Sequence, residues 1–332
     1  MTRCIRVPKR EGESVRSSLF SEGLLDLGAR IRADGDHLLI PIACESYGDY
    51  EVVDADTGVQ EHRPTDYREV ADVPDDLREQ LPSSFDVVGD VAMIKVPDDL
   101  VPYGSAIGEA LLKVNSNLRI VFRDHGVKGD FRIRDLELLA GTGTSETVHR
   151  EFGVSLRTDP SRVYFNPRLS SERSRIANLV RDGEIVIDMF GGVAPFGTVI
   201  CHLAHPSAVY SIDLNPEAER FARINAERNH APGLHPMTGD SSQVVFALPK
   251  ADRIIMNLPQ IADRFLPTAL GRLNPGGTVH MYKILEREDL DGFLRGIEGM
   301  GGDAGCQVGV VCKELKTYSP TMSVYALDIT RS

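Results

Sequence analysis

The sequence predicts an α/β protein, with a doubly wound, mostly parallel sheet in its C-terminal half and small α+β units before it. Three observations carry this expectation. From Tyr164 onward, short β-branched runs alternate with amphipathic stretches, the pattern of parallel strands joined by crossover helices. The stretch EIVIDMFGGVAPFG, residues 184–197, reads as strand, glycine turn and helix. Two final strands, at about 307–315 and 321–329, share a turn carrying Tyr318-Ser319-Pro320, which places an antiparallel strand at the end of the sheet.

Taken in order, the chain begins with a unit containing an amphipathic helix over 14–23 (Val15, Leu19, Phe20) and a strand over 37–42. Residues 47–82 are acidic and poor in large apolar side chains, so they read as a flexible connection with one short helix at 74–80. Two short strands about Gly89 follow within 85–96, then a helix over 105–113 and strands over 119–123 and 132–140. Residues 152–163 suggest a β-ribbon with Asp159-Pro160 as its turn. Beyond Tyr164, 170–181 opens with Ser and Glu, the chemistry of a helix start. Strand and helix then alternate through 184–189, 194–204, 208–212, 216–230, 234–238, 241–248, 252–257, 261–272, 277–283 and 286–300. The expected division is 1–60, an acidic linker 61–82, an α+β unit 83–160, and the doubly wound domain 161–332.

A chain of 332 residues accommodates two or three such domains. No apolar run reaches membrane-spanning length, and MTRCIRVPKR lacks the apolar core of a signal peptide. The five cysteines (Cys4, Cys44, Cys201, Cys306, Cys312) are scattered, without CxxC or zinc spacing, so free thiols in the cytoplasm and no structural metal are expected. The net charge of −12 argues at face value against nucleic acid, but it is unevenly spread. Residues 45–90 hold fourteen acids and three arginines, a local −11 that leaves −1 for the rest of the chain. Residues 157–181 hold six arginines against two acids, and 119–134 five basic residues against two acids. A basic face need not show in the total, although such runs are usually only solvated surface.

The glycine turn carries the first chemical signal. Gly191, Gly192, Ala194 and Gly197 let a ligand approach the backbone, and the helix behind them offers free N–H groups. The dinucleotide fingerprint G-x-G-x-x-G is absent, and Pro195-Phe196 occupies the turn that a pyrophosphate would need. Asp213 ends the second strand, where an acid is placed for ribose hydroxyls. Asp240 ends the third, where it could accept from an adenine amino group. Ribose and adenine recognition without pyrophosphate recognition points to S-adenosylmethionine (SAM). Singly, each of these residues is explained as well by turn chemistry; the ordered set is not. Asn257-Leu258-Pro259 closes the fourth strand at the ligand-binding edge. An amide held there suits a base edge, and the same tripeptide also makes an ordinary strand-to-helix cap.

At these residues the sequence resembles the archaeal/eukaryotic-type tRNA (guanine-N1)-methyltransferases, which act at position 37, the guanine 3′ of the anticodon. YFNPRLSSER, DMFGGVAPF, YSIDLNP, ADRIIMNLPQIADRFL, GGTVHMYKI and KTYSP are similar to that family's blocks, in its order. GESVRSSLFSEGLLD and GDFRIRDLELLAG extend the likeness over nearly the whole chain. The family commonly has Ser where Asn166 stands, F-A-G-V-G-P where Phe190 to Pro195 stand, and often Lys at Gln260.

The resemblance implies a class I SAM-dependent methyltransferase, Rossmann-like, acting on tRNA as a monomer without membrane or metal. It implies Glu172 as general base, Arg132 orienting the guanine, Asn257 with Pro259 holding its edge, and Tyr164 at the junction of base and methyl donor. The turn from Phe190 to Pro195, with Gly191 and Val193, would pack the methionine moiety, Asp213 would hold the ribose and Asp240 the adenine end, and Asp188, Leu214, Ser241 and Asn257 would also bind the cofactor. Arg168, Arg173, Lys316, Tyr318 and Pro320 would contact RNA, and residues 1–60 would touch tRNA away from the anticodon. Guanine N1 carries a proton at neutral pH, so a carboxylate must remove it, and a guanidinium at O6 stabilises the charge that develops. Taken alone, Glu172 reads as a helix-start residue and Arg132 as an exposed strand charge.

Three rival readings stand beside this one. Aminocarboxypropyl transfer from SAM to a tRNA base uses a similar fold, but its enzymes characteristically lack the Pro167-Arg168 pair. A non-catalytic RNA-binding protein is disfavoured by the retention of Glu172, Asp213, Asp240 and Asn257. An NAD-dependent oxidoreductase is disfavoured by the glycine spacing and the terminal hairpin.

Overall fold

The structure, a computed structural model, describes residues 1–58 and 64–332. The chain forms two compact units, 1–66 and 67–332. The expected boundary at 60/61 lies outside the described residues.

In the first unit, four antiparallel strands run in the order Arg32–Asp34, His37–Pro41, Thr2–Pro8, Glu51–Ala55. The helix Gly12–Ser21 buries Val15 and Leu19 with Ile5, Val7 and Ile40. Sequence pattern anticipates the helix and the His37–Pro41 strand but not Thr2–Pro8 or Glu51–Ala55. Arg3 and Arg6 interrupt the apolar run of the first, and the second carries only two Val among acids. Cross-strand pairing rather than local pattern makes them strands.

The second unit opens with a correction. Residues 67–82 were expected to be a flexible linker, yet Tyr67, Ala71, Val73 and Leu81 are buried in one core with Ile94, Leu100 and Leu111. Four apolar anchors are enough where a preformed sheet and helix receive them. That sheet runs Asp86–Val88, Val91–Ile94, Ile120–Lys128, Ile133–Gly141, with the helix Gly104–Val114 against it. A second correction concerns the ribbon. Its strands are Thr147–Glu151 and Val154–Thr158, and its turn is Phe152-Gly153, both at positive φ (42° and 82°). Two successive positive φ values match the twist of a two-residue hairpin. Asp159-Pro160 instead follows the second strand.

The main sheet has seven strands: Leu234–Thr238, Ala208–Asp213, Ile185–Asp188, Ala251–Met256, Leu273–Glu286, Met322–Arg331 and Val308–Thr317. The first five are parallel, and the last two pair antiparallel. Helices Ser170–Leu179, Pro195–Leu203 and Pro216–Arg228 contribute to one core cluster, and Leu266–Arg272 and Leu290–Asp303 to the other. The first cluster also takes in Val91, Met93, Val154 and Leu156, so one apolar core runs across the expected boundary at 160. The order in which successive strands join the sheet reverses between Ile185–Asp188 and Ala251–Met256, and open α/β sheets bind ligands outside such a switch point. Among the described residues no helix is long and apolar enough to cross a membrane.

Candidate active site

The carboxyl ends of the parallel strands and the loops beside them enclose a cavity of about 480 Å³. Met189, Phe190 and Gly192 reach it from the first of these strands in sequence, and Asp213 and Leu214 from the second. Gly239, Asp240 and Ser241 follow the third, and Asn257 to Ile261 the fourth.

The glycine turn forms part of the wall through Gly192. A Cβ on Gly191 would stand 1.9 Å from Ser211 Oγ, and Gly192 has φ 55°, so neither position accommodates a side chain freely. The Gly192 N–H donates to Asp213 Oδ2 at 2.8 Å, and the Asn215 N–H to Oδ1 at 2.9 Å. Burial pushes the Asp213 carboxyl above its usual range, against these N–H groups. Asp240 caps the turn Ser241–Val244 through the Ser242 N–H and hydroxyl. Asp188 is wholly buried behind the turn. Its Oδ1 accepts from the Phe190 N–H at 3.3 Å, and its Oδ2 has no partner among the described residues. Burial, with a smaller contribution from the charge of Asp213, raises Asp188 to about 7. A bare backbone turn, carboxylates at two successive strand ends and an orphaned buried carboxyl oxygen together fit a ligand with a nucleoside and a polar amino-acid moiety, as SAM has.

Of the residues expected at the cofactor, Phe190, Asp213, Leu214, Asp240, Ser241 and Asn257 line the cavity. Gly191, Val193 and Pro195 support it from behind. Val193 is fully buried, its carbonyl accepting from Asn225 Nδ2, and Pro195 opens the helix Pro195–Leu203.

Arg132, Tyr164, Asn257 and Pro259 also line the cavity. Arg132 lies not in a strand but in the turn before one, at φ 53°, its N–H donating to the Gly129 carbonyl. That sparsely populated conformation aims its guanidinium over the Tyr164 ring, 5.6 Å from the centroid. Asn257 is half-buried, and its amide has no hydrogen-bond partner among the described residues. Pro259 is held through its carbonyl, which accepts from the Ile284 N–H.

Glu172 is not part of the cavity wall but sits directly behind it. The residue is 5% exposed, and Oε2 accepts from the Tyr282 hydroxyl at 3.0 Å and from Arg175 Nε at 2.9 Å. Tyr282 lines the cavity. Oε1 accepts no hydrogen bond among the described residues, yet it is not one of the fully enclosed unpartnered atoms.

The basic residues expected at RNA divide. Arg173 is corrected: it is 1% exposed and forms a two-bond pair with Glu151 (2.5 and 2.6 Å), stacked on Phe165. Glu151 falls to about 2, because hydrogen bonds from His149 and Arg173 outweigh the burial that would raise it. Arg168 pairs with Asp86 at 2.7 Å but stays half exposed. Lys316 and Tyr318 line the cavity from the terminal hairpin. Pro320 lies beyond the lining, its carbonyl accepting from Arg287.

Sequence reasoning missed Tyr282 and Phe131, both on the cavity wall. The signal for Tyr282 was its two-residue spacing from His280 and Ile284, which puts the three on one strand face. Phe131, an aromatic 44% exposed beside Arg132, had no such signal. Among the described residues no group of His, Cys, Asp or Glu could hold a metal ion.

Comparison with known proteins agrees with this geometry. The TRM5/TYW2 methyltransferase domain model matches residues 147–309, the TYW2 N-terminal domain model 69–144, and the tRNA methyltransferase 5 N-terminal domain model 4–51. The tRNA (guanine(37)-N(1))-methyltransferase Trm5b of Pyrococcus abyssi is 38% identical over 331 residues, 99% of this chain and 98% of that protein. Its crystal structure superposes with a TM-score of 0.82 at 37% identity, covering both chains completely. The structure of aTrm5 in complex with tRNALeu gives 0.78 at 32% identity over 99% of each chain. Methanocaldococcus jannaschii Trm5 in complex with adenosine gives 0.67 at 31% identity, again over 99% of each. With a glycine turn, paired strand-end carboxylates, Arg132, Tyr164 and Asn257 around one cavity, the chain belongs to the tRNA (guanine(37)-N(1))-methyltransferases, SAM-dependent enzymes of the TRM5/TYW2 family.

Proposed function

We propose that Glu172 takes the N1 proton of guanine 37 in tRNA, making that nitrogen the nucleophile. The observation that supports this is the asymmetry of the carboxylate: both its hydrogen bonds fall on Oε2, so Oε1 keeps its lone pairs for a proton. SAM, when bound, supplies a methyl group made electrophilic by its sulfonium, with the glycine turn, Asp213 and Asp240 holding it. Arg132 lines the cavity and donates no side-chain hydrogen bond to a described residue, so its guanidinium is available to guanine O6 as charge moves there. The Asn257 amide, likewise unpartnered, can donate to and accept from the base edge. Tyr164 and Pro259 set the plane in which the base lies. A tRNA substrate suits the cytoplasm.

Single-turnover methylation of unmodified tRNA tests the assignment. Glu172→Gln should slow it by roughly 10²-fold or more while SAM affinity, measured by calorimetry, stays unchanged. An undiminished rate would remove Glu172 from the role.

A further inference from the structure

We infer that Asp328 is a positioning residue: by holding the two terminal nitrogens of Arg175, it keeps that guanidinium from closing on both oxygens of Glu172. The inference rests on Glu172 being the base.

The last parallel strand, Leu273–Glu286, and its antiparallel neighbour Met322–Arg331 place three pairs on one face. Ile284 and Val324 meet the cavity, Tyr282 and Ala326 come next, and His280 faces Asp328 one step further in. Helix Ser170–Leu179 lays Glu172 and Arg175 over this face, one turn apart. Arg175 divides its donors. Nε goes to Glu172 Oε2 at 2.9 Å, while Nη1 and Nη2 go to Asp328 at 2.7 and 3.2 Å.

Asp328 is itself fixed. His280 Nδ1 lies 2.7 Å from its Oδ1, and His280 Nε2 lies 3.1 Å from Arg253 Nη1. An arginine can only donate, so Nε2 accepts, the proton sits on Nδ1, and the imidazole is neutral. Arg253 is anchored in turn by Glu184 at 2.6 Å. The result is a hydrogen-bonded row from Glu184 at the far end of the sheet to Glu172 Oε2 behind the cavity, with a donor facing an acceptor at each link.

The row has a chemical consequence. A guanidinium beside a carboxylate closes as a two-bond fork when nothing else occupies its nitrogens. Freed from Asp328, Arg175 would cover Oε1 as well as Oε2 and take up the lone pairs that a proton needs. Asp328 therefore favours a one-bond contact, which orients the base without blocking it.

A double-mutant cycle tests this by single-turnover methylation. Asp328→Asn retains shape and an acceptor for His280 but weakens the hold on Arg175. It should lower the rate about tenfold with SAM and tRNA dissociation constants unchanged, and should have no further effect in the Glu172→Gln background. An equal loss in both backgrounds would show a general structural role and overturn the inference, as would an unaltered rate in Asp328→Asn. If Glu172→Gln retains the full rate, the base assignment itself fails. If Glu172→Gln is slow and Asp328→Asn is not, only the positioning role fails. Should Asp328→Asn not fold, His280→Gln, which loosens Asp328 from the other side, enters the same cycle with the same expected outcomes.

Discussion

Asp188 illustrates what a single buried atom can impose. Its folded-state pKa of about 7 lies above the ordinary carboxylate value of 3.8, so the unfolded chain releases this proton more readily. The sign follows: Asp188 costs no stability below about pH 4, and the cost grows as pH rises to about 7. Asp188→Asn should therefore raise the melting temperature of the SAM-free protein at pH 8, with a gain that shrinks toward pH 4. Thermal melts across that range check it, and a pH-independent gain would contradict the assignment. Arg173 makes the complementary case. Arg173→Met leaves Glu151 buried without its fork and should cost ~3–5 kcal/mol of stability. Arg168→Ala should leave melting nearly unchanged and weaken tRNA binding, which filter binding and calorimetry would separate. The sequence SSERSR beside Arg168 could not make this distinction. Arginines and a glutamate alternate there with no period that marks which is inside, and the partner of Arg173 lies 22 residues away in the ribbon. Arg132 was legible as a residue but not as a conformation, because its turn is set by Gly129 and by the strands that flank it.

The strand–turn–helix element at 185–203 was the most legible part of the chain. Local pattern suffices where a β-branched run, glycines and an apolar helix follow one another without a gap. The turn is also the least tolerant of change. Gly191→Ala would press a methyl into Ser211 Oγ in the neighbouring strand, so it should weaken SAM binding by at least tenfold, read by calorimetry, and lower the melting temperature as well. The elements that sequence missed are those that owe their form to partners. Thr2–Pro8 depends on two strands pairing with it, and the anchors of 67–82 are too widely spaced to show a period. The ribbon turn misled in another way: Asp-Pro is a recognised turn signal, whereas Phe at positive φ is not.

For the whole molecule, the distinction between 1–66 and 67–332 leads to a prediction about parts. We expect residues 67–332 alone to fold and to bind SAM as tightly as the full chain, since the cavity residues all belong to that unit. Its methylation of intact tRNA at limiting concentration should fall, if the first unit contacts the nucleic acid. Equal activity of the shortened and full chains would count against that contact. Composition gave the position of this division only approximately, because the acidic stretch spans it and belongs to both units.

The strand order of the main sheet bears on how the protein is made. Residues 322–331 do not extend the sheet at its margin but slot between Leu273–Glu286 and Val308–Thr317. Until that segment leaves the ribosome, a fourteen-residue strand presents a bare row of amides and carbonyls, the template on which chains aggregate. Its arrival also delivers Asp328. Completing the sheet and assembling the support behind Glu172 are therefore one event in biogenesis, and a nascent chain halted at Thr321 should be both insoluble and inert.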